Sequence, residues 1–154
     1  MYLRFIILIL VIFSSCSTTE DDLWTEKRDS LLGTWDGNVS FVQTNLSSNK
    51  DSIGIRKSKV NFLNKEYVNF NYLDFSGFES NYNCNWAYQP EPEIIVFYFP
   101  DHLWFYGVPQ KFKIIQKGTN TQVWKTEFFN LDYDPITQKT TNYRYTETWE
   151  MTKQ

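Results

Sequence analysis

From Thr34 onward, apolar and polar residues alternate with a period of two, the pattern of a β-strand with one buried face. In the first such segment, Trp35, Val39 and Phe41 alternate with polar neighbours. The same alternation recurs in later segments, whereas Glu93–Phe99 is a continuous apolar run. The chain is also rich in Tyr, Phe, Trp, Thr, Val and Ile, which suit a pleated, half-buried surface. These features predict an all-β fold.

Turn signals divide this region into about eight or nine strands. The clearest are Gly118-Thr119-Asn120, a tight hairpin, the prolines Pro90 and Pro92, and Asp134-Pro135. One short strand is expected over residues 103–106. Sequential hairpins of this number close most economically into a small antiparallel up-and-down barrel, since closure removes exposed edges.

Two local features interrupt the regular pattern. Ile53 and Ile55 have the opposite parity to Val60 and Phe62, which predicts a β-bulge near residues 56–58. Before the first strand, the segment Asp22–Leu32 is the one helix candidate, with Asp22 as its cap.

The N-terminus has the composition of a targeting segment. Arg4 precedes nine apolar residues, Phe5–Phe13, a run too short to span roughly 30 Å of hydrocarbon. Phe13-Ser14-Ser15-Cys16 then resembles a lipobox, the site where bacterial lipoprotein signal peptidase cleaves before an acylated cysteine. The resemblance implies a signal peptide over residues 1–15 and lipidation of Cys16; the alternative is an ordinary signal peptide with Cys16 unmodified.

Residues 16–22 are polar and acidic, and we expect them to form a tether between the acyl group and a domain at 23–154. Ser17–Asp22 also resembles the acidic signal that sends some lipoproteins of Gram-negative bacteria to the cell surface. We therefore expect an outer-membrane lipoprotein in either the periplasmic or the surface-exposed leaflet, with the surface slightly favoured. A solvated spacer is the alternative for this segment.

Charge and reactive residues exclude several classes of function. Residues 1–15 contain one of the 15 basic residues and none of the 18 acidic ones, so the remainder carries 14 basic residues and a net charge of −4. Without a basic cluster, nucleic-acid binding is not expected. His102 is the single histidine and Cys84 the single cysteine after Cys16, and we expect Cys84 to be a buried, inert thiol. The sequence predicts no catalytic residues, metal site or cofactor, and no enzyme.

Gly33-Thr34-Trp35, at the head of the first strand, resembles the Gly-x-Trp signature of lipocalins, in which the tryptophan closes the barrel floor. The final strand and its ending, Trp149–Gln154, look like those of lipocalin-like domains of bacterial lipoproteins. This resemblance implies a lipocalin-like barrel.

Aromatic residues on the predicted inner faces are the candidate ligand-binding residues, although they could equally fill a solid core. They are Trp35, Tyr72, Tyr82, Trp86, Tyr98, Trp104, Tyr106 and Tyr145.

Glu147 is the one charged candidate, because it shares the parity of Tyr145, Trp149 and Met151. A buried carboxylate needs a partner, and Arg56 is a candidate for that role. A second bulge turning Glu147 outward is the alternative.

The sequence thus predicts a membrane-anchored protein whose barrel binds a small apolar or amphipathic ligand. The alternative is a solid-cored interaction protein, such as a complex subunit or enzyme inhibitor, that recognises an unidentified protein partner without a small-molecule ligand.

Overall fold

The computed structural model describes residues 20–73, 79–99 and 109–154. One helix, α1, is followed by eight strands. They are α1 (Glu20–Asp29), β1 (Gly33–Asn45), β2 (Lys50–Phe62), β3 (Tyr67–Leu73), β4 (Glu79–Pro90), β5 (Glu93–Tyr98), β6 (Gln110–Lys117), β7 (Thr121–Asp134) and β8 (Lys139–Lys153). The predicted signal peptide, Cys16 and His102 lie outside the described residues.

The chain divides into two units, of which one ends at Ser30 and the other begins at Leu31. Helix α1 lies in the first unit and begins two residues before the predicted Asp22, so the last three residues of the predicted tether are helical. Its first turn is acidic and its last turn contains Lys27 and Arg28, an arrangement that complements the helix dipole. In the described part of the chain, no helix has the length and apolar character needed to cross a membrane.

The second unit is a closed barrel in which each strand pairs antiparallel with its neighbours in sequence, and β8 pairs with β1. This order confirms the predicted up-and-down barrel. Eight described strands close it, while the additional strand predicted at 103–106 lies outside the described residues. The predicted hairpin at Gly118–Asn120 is also present, joining β6 to β7 through a hydrogen bond from Gly118 N to Thr121 O of 2.7 Å.

Strand β2 is regular, so the bulge predicted near residues 56–58 is wrong. Its pairing with β1 runs without a shift from Gly33 opposite Phe62 to Asn45 opposite Lys50. Arg56 therefore shares the inner face with Phe62, while Ile53 and Ile55 point outward. The apolar pattern changed parity because the outer face of this strand carries isoleucines, not because the backbone shifts.

Two glycines of β1 have positions that require them. Gly33 opens the strand with φ +108°, a conformation that side chains rarely adopt. Gly37 faces β8 so closely that a Cβ atom would overlap the carbonyl oxygen of Glu150. The glycine of the Gly-x-Trp motif thus allows the backbone conformation with which β1 begins.

The barrel core consists of large aliphatic and aromatic side chains, contributed by all eight strands and by the segment before β1. Its fully buried members are Leu31, Trp35, Val39, Val60, Phe62, Val68, Ile95, Phe97, Trp124, Trp149 and Met151.

Candidate ligand site in the barrel interior

The half of the interior nearest the start of β1 is packed with aromatic rings. Phe62 lies at its centre, with ring centroids 4.6 Å from Trp86, 6.0 Å from Phe97 and 6.1 Å from Trp124. The ring centroids of Trp35 and Trp124 lie 5.8 Å apart. These separations are those of directly contacting rings, so this half of the barrel is filled by its own side chains. We call it the packed half.

The indole nitrogens of two predicted ligand-binding residues are satisfied within this half. Trp35 Nε1 donates to Leu31 O at 2.7 Å, and Trp86 Nε1 donates to the carbonyl oxygen of Asn64 at 2.8 Å. Both side chains are buried. These contacts match the core-packing alternative considered for both residues.

Beyond the packed half, the interior contains a buried ion pair. Glu147, 2% exposed, accepts a hydrogen bond from Nη2 of Arg56, which is 5% exposed. The other carboxylate oxygen, Oε2, accepts from Trp149 Nε1 at 2.9 Å. Of the two orientations left open by the sequence, the structure therefore shows the inward one, with Arg56 as the partner of Glu147.

The guanidinium of Arg56 is also held from the side. Its Cζ atom lies 5.1 Å from the centroid of the Phe41 ring, within the range of a cation–π contact. Phe41 is in turn placed over Gly54, its register partner on β2, where a Cβ atom would overlap the ring. The small residue at 54 thus makes room for the ring that supports Arg56.

Thr126 completes this polar group from β7. It lies directly opposite Glu147 in the pairing of β7 with β8 and is 3% exposed. Among the described residues, its Oγ1 atom has no hydrogen-bond partner. A buried hydroxyl without a partner loses the hydrogen bonds it makes in water, a cost of about 1–3 kcal/mol. We refer to Arg56, Thr126, Glu147 and Trp149 Nε1 as the polar cluster.

A second layer lies further along β8, towards its start. Tyr145 is buried and its ring stacks on Phe128, with centroids 5.0 Å apart and planes 5° from parallel. Gln43 Nε2 donates to the Tyr145 hydroxyl at 2.7 Å. Tyr145 therefore faces the interior as predicted, next to the polar cluster.

The remaining candidate ligand-binding residues lie in different places. Tyr82 packs against the core, with its ring 6.5 Å from Phe99. Tyr98 is 47% exposed and lies on the outer face, so its predicted place in the interior is wrong. The reason is strand parity, since Phe97 and Phe99 on either side of it are buried. The side chain of Tyr72, as well as Trp104 and Tyr106, lies outside what the structure describes.

The sequence pattern did not identify Phe41, Gln43 and Thr126 as parts of the site. Strand alternation could have identified Thr126, because it lies two residues from Trp124 on β7 and therefore points to the same, inner face. Polar residues at inward positions are easily taken for irregularities in a strand.

Two other ionisable side chains in the described residues, Cys84 and Asp134, have contacts that explain them as parts of the fold. Cys84 is buried, and the loss of hydration raises the pKa of its thiol to about 12, as expected for an inert cysteine. Asp134 accepts hydrogen bonds from Ile136 and Thr137 in the turn before β8, and these lower the pKa of its carboxyl group. Within the described ranges, no group of three or more His, Cys, Asp or Glu residues could hold a metal ion.

Two of the solved structures that are similar to this chain are apocrustacyanins. Apocrustacyanin C1 has a TM-score of 0.41 and 12% sequence identity, covering 87% of this chain and 69% of that one. Apocrustacyanin C2 has a TM-score of 0.40 and 14% identity, with the same coverage. No family model and no curated protein matches the chain. The description of the fold as lipocalin-like is supported by the strand order itself, the eight-stranded up-and-down closure found in lipocalins.

Proposed function

We propose that the barrel binds a small amphipathic molecule, with the polar end of the ligand at the polar cluster and its apolar part along the neighbouring aromatic side chains. The observation that carries this proposal is the buried Arg56–Glu147 pair beside a buried hydroxyl without a partner, inside an otherwise aromatic interior. Burying two charges costs several kcal/mol per ion before their mutual attraction is counted. An apolar filling of the same volume would serve the fold at least as well.

Three properties of the cluster suit a polar ligand group. The ion pair compensates its own charge, the Thr126 hydroxyl can both donate and accept a hydrogen bond, and all three side chains are buried. Binding sites of small molecules commonly combine apolar walls with a few such polar groups that fix orientation. The stacked rings of Phe128 and Tyr145 provide an apolar wall close to the cluster.

Ligand binding is testable with an environment-sensitive apolar dye and with fatty alcohols of matched chain length. We expect the dye to bind the folded protein near one to one and to change tryptophan emission, because Trp149 donates to the carboxylate at the centre of the proposed site. Glu147→Gln should weaken binding of the alcohols relative to pure hydrocarbons, since it removes charge while nearly preserving shape. Titration followed by fluorescence measures both.

Thr126→Val is the matched variant for this experiment, because it replaces the hydroxyl with a methyl group at nearly constant volume. It should reduce alcohol affinity by about fivefold to tenfold, the effect of one hydrogen bond of about 1 kcal/mol, while hydrocarbon affinity stays unchanged. Tyr98→Phe, on the outer face, should alter neither. Absence of dye binding, or equal losses for alcohols and hydrocarbons, would argue against the proposal.

We further propose that the protein is an outer-membrane lipoprotein, anchored through acylated Cys16 and displayed at the surface leaflet. The support is the sequence pattern of a short apolar segment ending in Ser14-Ser15-Cys16 and followed by an acidic stretch. One acyl chain gives only reversible attachment, whereas a diacylated cysteine anchors stably.

Cys16→Ala should therefore accumulate as an unprocessed precursor, because the lipoprotein peptidase requires the modified cysteine. Metabolic labelling with a clickable fatty acid, followed by gel electrophoresis, measures both acylation and processing. Cys84→Ala is the control and should be labelled like the wild type. Label retained on the Cys16→Ala protein would place the acyl group elsewhere.

A protein-interaction role is the second candidate, and one observation favours it. Large apolar side chains on the outer sides of three strands are more than half exposed: Ile53 and Ile55 on β2, Ile115 on β6, and Phe129 and Leu131 on β7. Exposed apolar side chains that lie together, as Ile53 and Ile55 do along β2, mark interaction sites more often than isolated ones do.

A further inference from the structure

The first half of strand β2 has an exposed apolar outer face. Ile53 and Ile55 are 77% and 74% exposed. Asp51 and Lys57, which share this face by strand alternation, flank them with opposite charges and are exposed as well. The outer face of this segment therefore runs acidic, apolar, apolar, basic.

In the described part of the chain, the same segment has a neighbouring strand on one side only. Strand β3 pairs with β2 only from Ser58 to Phe62, while β1 pairs with β2 along its whole length. Among the residues that the structure describes, no strand pairs with the second edge of residues 50–57. An edge of this length offers unpaired backbone donors and acceptors to another strand, and proteins normally shield such edges.

We propose that this edge pairs antiparallel with the same edge of a second copy of the chain, about a two-fold axis at Gly54. In this register, Ile53 lies opposite Ile55 of the second copy, and Asp51 lies opposite Lys57 of the second copy. The axis repeats both pairings, so the interface contains two apolar pairs and two ion pairs. A continuous sheet then extends across the two barrels.

The segment is complementary to itself, and this favours a second copy of the chain as its partner. Residues 51, 53, 55 and 57 give matched pairs only when the segment meets itself in the antiparallel direction, since parallel pairing in register would place like charges together. A two-fold contact is also closed and gives a dimer, the commonest form of homo-oligomer. Pairing of this edge with the exposed Phe129 region of β7 would instead be head-to-tail and open-ended.

Sedimentation velocity over a range of protein concentrations tests the proposal. The sample is the processed protein purified from cells, kept in detergent where it carries an acyl anchor. We expect a monomer–dimer equilibrium. Ile55→Lys should raise the dissociation constant at least about tenfold, by placing a charge in each apolar pair. Phe129→Lys, a substitution of an exposed apolar residue on β7, is the matched control and should leave the dissociation constant unchanged.

Charge reversal tests the register. Asp51→Lys and Lys57→Asp should each weaken the dimer about threefold to tenfold, because each converts two attractive pairs into two repulsive ones. The double variant, Asp51→Lys with Lys57→Asp, should restore it. Circular dichroism confirms that these exposed substitutions leave the barrel folded. A protein that stays monomeric at every concentration, a dimer weakened by Phe129→Lys, or a double variant no better than the single ones would each overturn the proposal.

Discussion

Replacing Arg56 with methionine is expected to lower the free energy of unfolding by about 3–5 kcal/mol, because Glu147 would be left as a buried charge without its cation. The carboxylate is only 2% exposed and would keep a single described donor, Trp149 Nε1. Methionine approximates the volume of the arginine stem, so lost packing contributes little to the effect. Urea unfolding followed by circular dichroism gives the change from the shift in midpoint.

The informative control is the double variant Arg56→Met with Glu147→Gln. It removes both charges and keeps an amide oxygen that Trp149 can donate to, so it should recover at least half of the lost free energy. Proteins in which a buried ion pair is replaced by neutral groups are often no less stable than the original protein. If the double variant is as unstable as the single one, the loss reflects packing rather than charge. Full recovery would mean that stability does not require the pair, which would strengthen the case that it serves a ligand.

Strand periodicity predicted the architecture because this barrel has one buried face on nearly every strand. The closed meander, the Gly118–Asn120 hairpin and the inward Trp35 all follow from alternation and turn residues. The same rule offered an inward Glu147, which shares parity with Trp149, but left an outward orientation through a second bulge open. The strand is regular at this position even though it buries a charge.

Periodicity failed where both faces of a strand are apolar. In the run from Glu93 to Phe99, it could not separate the exposed Tyr98 from the buried Phe97. In β2, the outward isoleucines imitated a change of register. Which apolar face is buried depends on neighbouring strands, and this information is not local to the sequence.

The polar cluster was only partly predictable for a related reason. Arg56 and Glu147 lie 91 residues apart, and their meeting depends on β1 lying between β2 and β8. Thr126 belongs to the cluster through its pairing with Glu147. Sequence pattern indicates that each side chain points inward, but only the register of the closed barrel sets their heights.

Trp35→Ala is expected to cost about 3–5 kcal/mol of the free energy of unfolding, because it deletes a large ring from a filled core. The side chain is 1% exposed, contacts Trp124 at a centroid distance of 5.8 Å and donates to Leu31 O. Its removal leaves a cavity and a carbonyl oxygen without this donor. Lys153 also loses the ring that its Nζ atom faces at 5.7 Å, where β8 pairs with β1.

Urea unfolding of Trp35→Ala and Trp35→Phe separates these contributions. Phenylalanine fills most of the volume but cannot donate to Leu31 O, so its smaller loss of stability measures the hydrogen bond and the remaining void. Tyr98→Ala is the control, an aromatic deletion on the outer face that should change stability by less than about 1 kcal/mol. A loss below about 1 kcal/mol for Trp35→Ala itself would mean that the packed half tolerates a missing ring. In that case the tryptophan of the Gly-x-Trp motif would not be what closes this end of the barrel.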